Sequence, residues 1–144
     1  MNNIPTAEFK VFYNNNDLFN FFKENDCRNY VIKEDGLAAG KGVYLPENIE
    51  EIKKIKRAVV VEERLFGQEV SVMAFCNGHD LELMPQIKDY KRIDDGNKGL
   101  NTGGMGAIGP VSILNPDEMM QLKDYMLTVV KALSFKGVLY AGVM

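Results

Sequence analysis

Short apolar segments separated by glycine-rich breaks are the feature that most limits what this sequence can fold into. The chain has 144 residues and 13 glycines, and its longest apolar runs are as short as residues 58–61. A bilayer span needs about 20 consecutive apolar residues, so runs of this length suit short strands and helices instead. The sequence therefore predicts a mixed helix-and-strand protein without a membrane segment.

The composition supports a packed interior and argues against a nucleic-acid surface. Apolar residues make up 46% of the chain, and 17 basic and 20 acidic side chains give a formal net charge of −3. A chain of about 150 residues buries roughly 70% of the surface that its unfolded form exposes, so this apolar fraction can build a core. Both signs of charge are scattered along the chain, without the basic field that nucleic-acid binders carry. We expect neither nucleic acid nor a membrane as a partner.

The cysteines and the first residues indicate the compartment. Cys27 and Cys76 form no C-x-x-C pair and stand near no histidine cluster, so a structural metal site is not expected. Residues 1–7 are polar and lack the basic start and apolar run of a signal peptide. We expect a protein of the reducing cytoplasm.

The apolar pattern predicts alternating strands and helices. Strands are expected at 30–33, 43–45, 58–61, 69–75, 81–84 and 138–144. One helix is expected to be capped by Asn16 and Asp17, and a second to open at Pro46 and continue through the basic residues 53–57. Residues 88–110, rich in glycine and poor in apolar side chains, are expected to form a long functional loop.

Two further signals are local and specific. Asn77-Gly78 favours the positive φ angles of a tight hairpin turn between the strands at 69–75 and 81–84. Asn115, Pro116 and Glu118 supply an N-cap, a first-turn proline and a capping-box acid for a third helix.

The first candidate site is the segment from Lys33 to Gly42, which reads KEDGLAAGKG. Its glycines would let backbone N–H groups approach phosphate oxygens, and Lys33 and Lys41 would neutralise phosphate charge. The spacing from Gly36 to Lys41 is one residue short of a Walker A loop, and Gly42 stands in place of the hydroxyl that binds magnesium there. The pattern leaves two readings open, a phosphate loop between two strands and an ordinary hairpin with solvated lysines.

The second and third candidates also combine charge with glycine or with a strand end. Residues 59–65 form an apolar strand that ends in acids, and could meet a purine edge and ribose hydroxyls, or could simply be solvated. Lys91 and Arg92, followed by the glycines of residues 101–106, could bind an anion or belong to a surface loop. His79, the one histidine, is expected in a solvent-facing turn, and no serine or cysteine has the neighbours that a nucleophile requires.

Together these segments resemble the phosphoribosylamine-glycine ligase family, also called glycinamide ribonucleotide synthetase, of the ATP-grasp superfamily. The matching motifs follow the family's order: IPTA at 4–7, VIKEDGLAAGKG at 31–42, VVEERL at 60–65, DYKR at 89–92, NTGGMGA at 101–107 and LYAG at 139–142. Single motifs arise by chance, but an ordered set that covers nearly the whole chain is highly specific.

The resemblance implies an α+β ATP-grasp fold, in which two α+β lobes hold a nucleotide. The implied lobes are residues 1–64 and residues 65–144, the second ending before the strand that supplies the family's metal ligands. The resemblance assigns ATP binding to Lys33, Lys41, Glu62, Glu63, Arg64, Leu65 and Glu69, and the phosphate loop to Gly36, Gly40 and Gly42. It assigns the substrate loops to Asp89, Lys91, Arg92, Asn101, Thr102, Gly103, Gly104, Met105 and Gly106.

The resemblance also implies a reaction of de novo purine biosynthesis. The carboxylate of glycine would be activated by ATP as an acyl phosphate, which the amine of phosphoribosylamine attacks to give glycinamide ribonucleotide, ADP and phosphate. Mg²⁺ or Mn²⁺ would bridge the phosphates, with ligands beyond Met144. The chain is expected to be a fragment or split form with little activity alone, which a companion chain with the missing domains would complement.

Three positions depart from the family pattern, and two other functions stay open. Lys88, Tyr90 and Leu100 stand where the family usually has glutamine, histidine and proline. The alternatives are a non-catalytic nucleotide-binding or assembly module, and another ATP-grasp carboxylate-amine ligase with a different acceptor.

Overall fold

The computed structural model describes residues 3–36, 42–96 and 98–144, and the chain divides into two compact units. The first unit contains Thr6–Leu65 with Asn101–Gly103. The second contains Phe66–Leu100 and Gly104–Met144, together with the first residues of the chain. The elements, in chain order, are β1 (Phe9–Phe12), α1 (Asn15–Glu24), β2 (Tyr30–Glu34), β3 (Val43–Tyr44), α2 (Ile49–Ile52), β4 (Val59–Glu63), β5 (Val70–Asn77), β6 (Leu81–Leu83), β7 (Lys88–Asp94), β8 (Lys98–Ile108), α3 (Pro116–Leu133) and β9 (Lys136–Val143).

Helix and strand are therefore mixed, as the sequence predicts. The six predicted strands are present, with ends shifted by no more than two residues. Among the described residues, no helix is both long enough and apolar enough to cross a membrane.

The first unit is an antiparallel sheet with the strand order β1-β4-β2-β3. One face packs against α1 and α2 around a core of Leu18, Phe22, Cys27, Ile32, Ile52, Ile55, Val59 and Val61. Because side chains alternate along a strand, the neighbours of Ile32 and Val61 point to the opposite face. We call that opposite face the outer face of the first sheet; it carries Phe9, Val11, Val31, Lys33, Val43, Val60 and Glu62.

Both helices of the first unit differ from prediction at their ends. The N-cap of α1 is Asn14, whose side chain accepts a hydrogen bond from the Asp17 backbone, so the predicted cap at Asn16 and Asp17 is wrong. The predicted α2, which opened at Pro46 and continued through residues 53–57, is also too long, since the helix begins at Ile49 after an N-cap at Asn48 and ends at Ile52. The side-chain amide of Asn15 donates to the backbone oxygens of Lys53 and Ile55, and so binds carbonyl groups from the segment that follows the helix.

The second unit contains an antiparallel sheet with the strand order β6-β5-β9, and α3 packs on one of its faces. The core between them includes Ala74, Leu81, Met126 and Val130. Both local predictions are confirmed: Gly78 turns the β5–β6 hairpin with a φ of +97°, and the capping box of Asn115 and Glu118 opens α3.

The predicted irregular loop at 88–110 is wrong, because most of it forms the two-stranded ribbon β7–β8. Strand pairing uses backbone groups, so glycine-rich sequence can pair wherever the chain reverses cleanly. Gly96 occupies the turn after β7 with a φ of +71°. At Gly99, with a φ of +80°, a Cβ atom would collide with the carboxylate of Asp94. Here the glycines accommodate the turn and the close approach of the strands.

Gln86 is a buried polar side chain, about 9% exposed, that fixes the segment leading to α3. Its Oε1 accepts hydrogen bonds from the backbone N–H groups of Ile113 (3.0 Å) and Leu114 (2.8 Å), and its Nε2 donates to the Leu114 carbonyl oxygen (2.8 Å). The side chain therefore satisfies backbone groups that have no strand partner.

We expect Gln86→Leu to lower the free energy of unfolding by about 1–3 kcal/mol, because it leaves buried backbone groups without a partner. Urea denaturation measures this change, and Gln68→Leu, at an exposed glutamine of the same unit, is the matched control. Equal stability of the two variants would contradict the role assigned to Gln86.

Candidate functional site

An ion pair lies at the centre of the outer face of the first sheet. The Lys33 Nζ and Glu62 Oε2 atoms are 2.5 Å apart, and the two side chains are 44% and 26% exposed. Val31 lies opposite Glu62 in the ladder, and Val60 lies opposite Lys33, so the pair spans β2 and β4 diagonally. The register of these two strands thus brings together two residues that the sequence assigned to separate motifs.

Apolar side chains surround this pair. Phe9, Val11 and Val43 are exposed on the outer face, by 61%, 39% and 44% respectively. A binding surface for a small organic molecule is mostly apolar with a few placed polar groups, and this face has that character. Strand β1, which was not predicted from the sequence, adds Phe9 and Val11 to the face. The signal for β1 is the run FKVF at 9–12, in which Phe9 and Val11 take one face and Phe12 joins the core cluster.

The end of β4 is held by backbone hydrogen bonds on both sides. The Glu63 N–H donates to the Glu8 carbonyl oxygen (2.8 Å), and the Arg64 N–H donates to the Asn29 carbonyl oxygen (2.8 Å). The Arg64 guanidinium also donates to the Arg28 carbonyl oxygen at 3.3 Å. Leu65 follows with its side chain 46% exposed. The chain at 62–65 is therefore an ordered strand exit with accessible side chains.

The predicted phosphate loop connects β2 to β3. Gly36 has a φ of +113°, and a Cβ atom there would have no atom within 4 Å. Gly42 is buried, and its carbonyl oxygen accepts a hydrogen bond from the Glu34 N–H (2.8 Å). Gly40 and Lys41 lie outside the described residues. Glu69 belongs to the second unit, where it is exposed immediately before β5.

A second polar cluster joins the ends of this connection, and sequence reasoning missed it. The Tyr44 hydroxyl donates to Glu34 Oε1 (2.6 Å), and Arg57 Nη1 donates to Glu34 Oε2 (3.1 Å). The hydrogen bond to the Glu34 carboxylate raises the pKa of Tyr44, and burial adds to the effect. No local pattern relates residues 34, 44 and 57, so nothing in the sequence indicates their contact.

The predicted substrate-loop residues lie on the β7–β8 ribbon. Lys91 Nζ is 3.5 Å from Asp89 Oδ2, and Arg92 Nη1 donates to the Gly99 carbonyl oxygen at 3.3 Å. Two of the three departures from the family pattern contact each other, because Lys88 Nζ lies 5.3 Å from the centre of the Tyr90 ring.

The glycine-rich part of the predicted substrate loops lies on β8. Gly103, Gly104, Met105 and Gly106 are exposed, while Thr102 is half-buried. Gly104 has a φ of +129°, and a Cβ atom at Gly103, Gly104 or Gly106 would have no atom within 4 Å. Asn101 belongs to the same strand. These residues therefore form an accessible glycine-rich strand, where the sequence predicted an irregular loop.

The described residues contain no group of three or more His, Cys, Asp or Glu side chains that could hold a metal ion. These residues thus offer no ligand set for the Mg²⁺ or Mn²⁺ that the family resemblance implies. Cys27 and Cys76 are free thiols, and burial raises the pKa of Cys27. His79 is exposed in the turn after β5.

Comparison with known proteins gives a match over the whole chain. Residues 1–144 match the family model described as phosphoribosylglycinamide synthetase, ATP-grasp (A) domain. The phosphoribosylamine-glycine ligase of Rhodopirellula baltica is 38% identical, and the match covers 98% of this chain and 38% of that protein. The bifunctional purine biosynthetic protein ADE5,7 of Saccharomyces cerevisiae is 36% identical over 97% of this chain and 20% of its own length.

A solved structure agrees with the sequence matches. The crystal structure of phosphoribosylamine-glycine ligase from Thermotoga maritima superposes with a TM-score of 0.86 at 36% identity. The superposition covers 99% of this chain and 41% of the solved one. This chain therefore spans less than half the length of the relatives that it matches.

Proposed function

The chain belongs to the phosphoribosylglycinamide synthetase ATP-grasp (A) domain family, and from this membership we propose that it is the nucleotide-binding part of an ATP-dependent ligase. The predicted α+β ATP-grasp fold is confirmed by the superposition on the phosphoribosylamine-glycine ligase of Thermotoga maritima. The observation that carries the functional proposal is the Lys33–Glu62 pair on an apolar sheet face. We assign the first unit to one lobe of the grasp and the second unit to the other.

Lys33 is the proposed phosphate ligand of the outer face. Its ammonium group is partly exposed and already forms a charged hydrogen bond with Glu62, so it lies where an incoming anion can compete for it. The strand exit at 62–65 is proposed to meet the adenine, and Glu69 the ribose. Lys41, Gly36, Gly40 and Gly42 remain the predicted phosphate loop. Each of these contacts places a charge or a backbone group against a complementary part of ATP.

The proposed reaction joins glycine to 5-phosphoribosylamine. A carboxylate oxygen of glycine takes the terminal phosphoryl group of ATP, which forms glycyl phosphate and releases ADP. The amine nitrogen of phosphoribosylamine then attacks the acyl carbon and loses a proton, and phosphate leaves to give glycinamide ribonucleotide. The protein's part is to neutralise charge and position the reactants, so no protein nucleophile is required.

The β7–β8 ribbon is proposed to help bind the glycine and phosphoribosylamine substrates. Asp89, Lys91 and Arg92 would supply charges, and the accessible glycines of β8 would let the backbone approach an anionic ligand. The family's place in purine biosynthesis makes the cytoplasm the proposed compartment. The parts of the relatives that this chain does not match would supply the remaining functional groups, including those for the divalent metal.

A chimeric ligase tests this function. We expect the Rhodopirellula baltica ligase, with its matching segment replaced by this chain, to release ADP only when glycine and phosphoribosylamine are both present. The isolated chain is expected to show little turnover under the same conditions. Product analysis with phosphoribosylamine and with alternative amines identifies the acceptor.

Two results would contradict the proposal. A folded chimera that binds ATP but releases no ADP when glycine and phosphoribosylamine are both present would indicate a non-catalytic nucleotide-binding module. A chimera that uses only a different amine would indicate another carboxylate-amine ligase. The parent ligase with its own segment, prepared in the same way, is the matched control.

A further inference from the structure

We propose that Glu34, Tyr44 and Arg57 form a clamp that positions Lys33 and the two ends of the β2–β3 connection, and thereby sets the affinity for nucleotide phosphates. The clamp is defined by these three side chains. The inference rests on the proposed function, because it concerns how the same site is held ready for its ligand.

The side chain of Glu34 connects three segments of the first unit through hydrogen bonds. Its side chain is only 16% exposed, and each carboxylate oxygen has its own donor, the Tyr44 hydroxyl at 2.6 Å and Arg57 Nη1 at 3.1 Å. A carboxylate with so little exposure requires such partners, because loss of hydration disfavours its charge. The three residues come from β2, from β3 and from the segment before β4. One side chain therefore ties together three parts of the chain.

Backbone hydrogen bonds connect the same three segments next to Glu34. The Glu34 N–H donates to the Gly42 carbonyl oxygen (2.8 Å), and the Asp35 N–H donates to the Ala58 carbonyl oxygen (2.9 Å). Pairing between β2 and β3 is otherwise limited to Ile32 with Tyr44 and Lys33 with Val43. Because this ladder is so short, the side-chain bond from Tyr44 to Glu34 is a substantial part of what holds β3 in register.

The clamp lies on the side of the sheet opposite to the proposed ligand. Tyr44 pairs with the buried Ile32, and Glu34 shares that face, whereas Lys33 and its partner Val43 belong to the outer face. Glu34, Tyr44 and Arg57 are therefore positioning residues that act through β2 and β3. If the register of β3 were loose, ligand binding would have to restore it, and that ordering cost reduces affinity.

We expect Tyr44→Phe and Arg57→Gln each to weaken ATP binding by about three- to tenfold in calorimetry, because part of the ordering must then occur on binding. Arg57→Lys, which keeps a cationic donor, should restore most of the affinity. The matched control is Lys53→Gln, which removes an exposed ion pair with Glu50 (2.6 Å) at α2 of the same unit. The free energy of unfolding should fall by less than the free energy of ATP binding, because Glu34 keeps one of its two donors in each variant.

The outcomes separate the clamp from the proposed function. Unchanged ATP affinity in both variants would overturn the clamp, as would a loss of affinity matched by an equal loss of stability. If the unaltered chain binds no ATP, the proposed function is wrong. The clamp is then tested by amide hydrogen exchange, which does not depend on ATP binding. Faster exchange at Glu34 and Asp35 in Tyr44→Phe than in Lys53→Gln would support the clamp, and equal exchange would overturn it.

Discussion

Lys33→Ala is expected to weaken ATP binding by about 10- to 100-fold. A hydrogen bond to a charged group contributes about 1.5–3 kcal/mol, and each 1.4 kcal/mol corresponds to roughly tenfold in affinity. The loss should be at the upper end, since the substitution also leaves the Glu62 carboxylate unpaired on the face that receives the phosphates. Calorimetric titration with ATP measures the effect.

Two variants control this experiment. Lys10→Ala removes a lysine from β1 of the same sheet, where its ammonium group lies 4.8 Å from the centre of the Phe21 ring, and should leave ATP affinity unchanged. The double variant Lys33→Ala with Glu62→Gln should recover part of the loss, because the unpaired carboxylate is then neutral. If Lys33→Ala and Lys10→Ala bound ATP with equal affinity, the assignment of Lys33 to the ATP site would be wrong.

Ile32→Ala is expected to lower the free energy of unfolding by about 2–5 kcal/mol. Ile32 precedes Lys33 on β2 but points to the other face, where it is fully buried in the core of the first unit. The substitution removes apolar contacts and leaves a cavity that close packing cannot refill completely. Urea denaturation monitored by far-ultraviolet circular dichroism gives the value.

Ile32→Val is the control with a smaller truncation and should lower the free energy of unfolding by about 0.5–1.5 kcal/mol. Val11→Ala shortens a side chain of the same sheet on the outer face, and should cost less than either core variant. If Ile32→Ala were no more destabilising than Val11→Ala, the assignment of β2 faces would be wrong. The prediction for Lys33 would then lose its structural basis.

The features predicted correctly from sequence depend on neighbouring residues. The hairpin turn at Gly78 needs a positive φ that glycine adopts readily, and the capping box of α3 is complete within Asn115–Glu118. The predicted length of α2 failed because it depends on distant residues. The length of α2 is limited where Asn15 of α1 binds the carbonyls of Lys53 and Ile55, a contact across about 40 positions.

The prediction of an irregular loop at 88–110 failed for a different reason. Glycine has a low strand propensity, so residue-by-residue propensities predict a loop for a glycine-rich segment. The pairing of β8 with β7 stabilises the strand through backbone groups, which the composition does not reveal.

The candidate site shows the same division. Lys33 and Glu62 could be identified from their motifs, but their ion pair depends on the register that places Val31 opposite Glu62. The contribution of Phe9 depends on β1 pairing with the far side of β4. The contacts of Glu34 with Tyr44 and Arg57 likewise require the folded sheet. Residue type was readable from the sequence, whereas strand register was not.

Amide chemical-shift mapping by NMR during an ATP titration would show whether ATP binds on the outer face of the first sheet. If ATP binds there, we expect saturable shifts at Val31, Lys33 and the residues 60–65, with small changes at the helical residues of α1. An absence of saturable shifts, or shifts confined to α1 and α3, would contradict it.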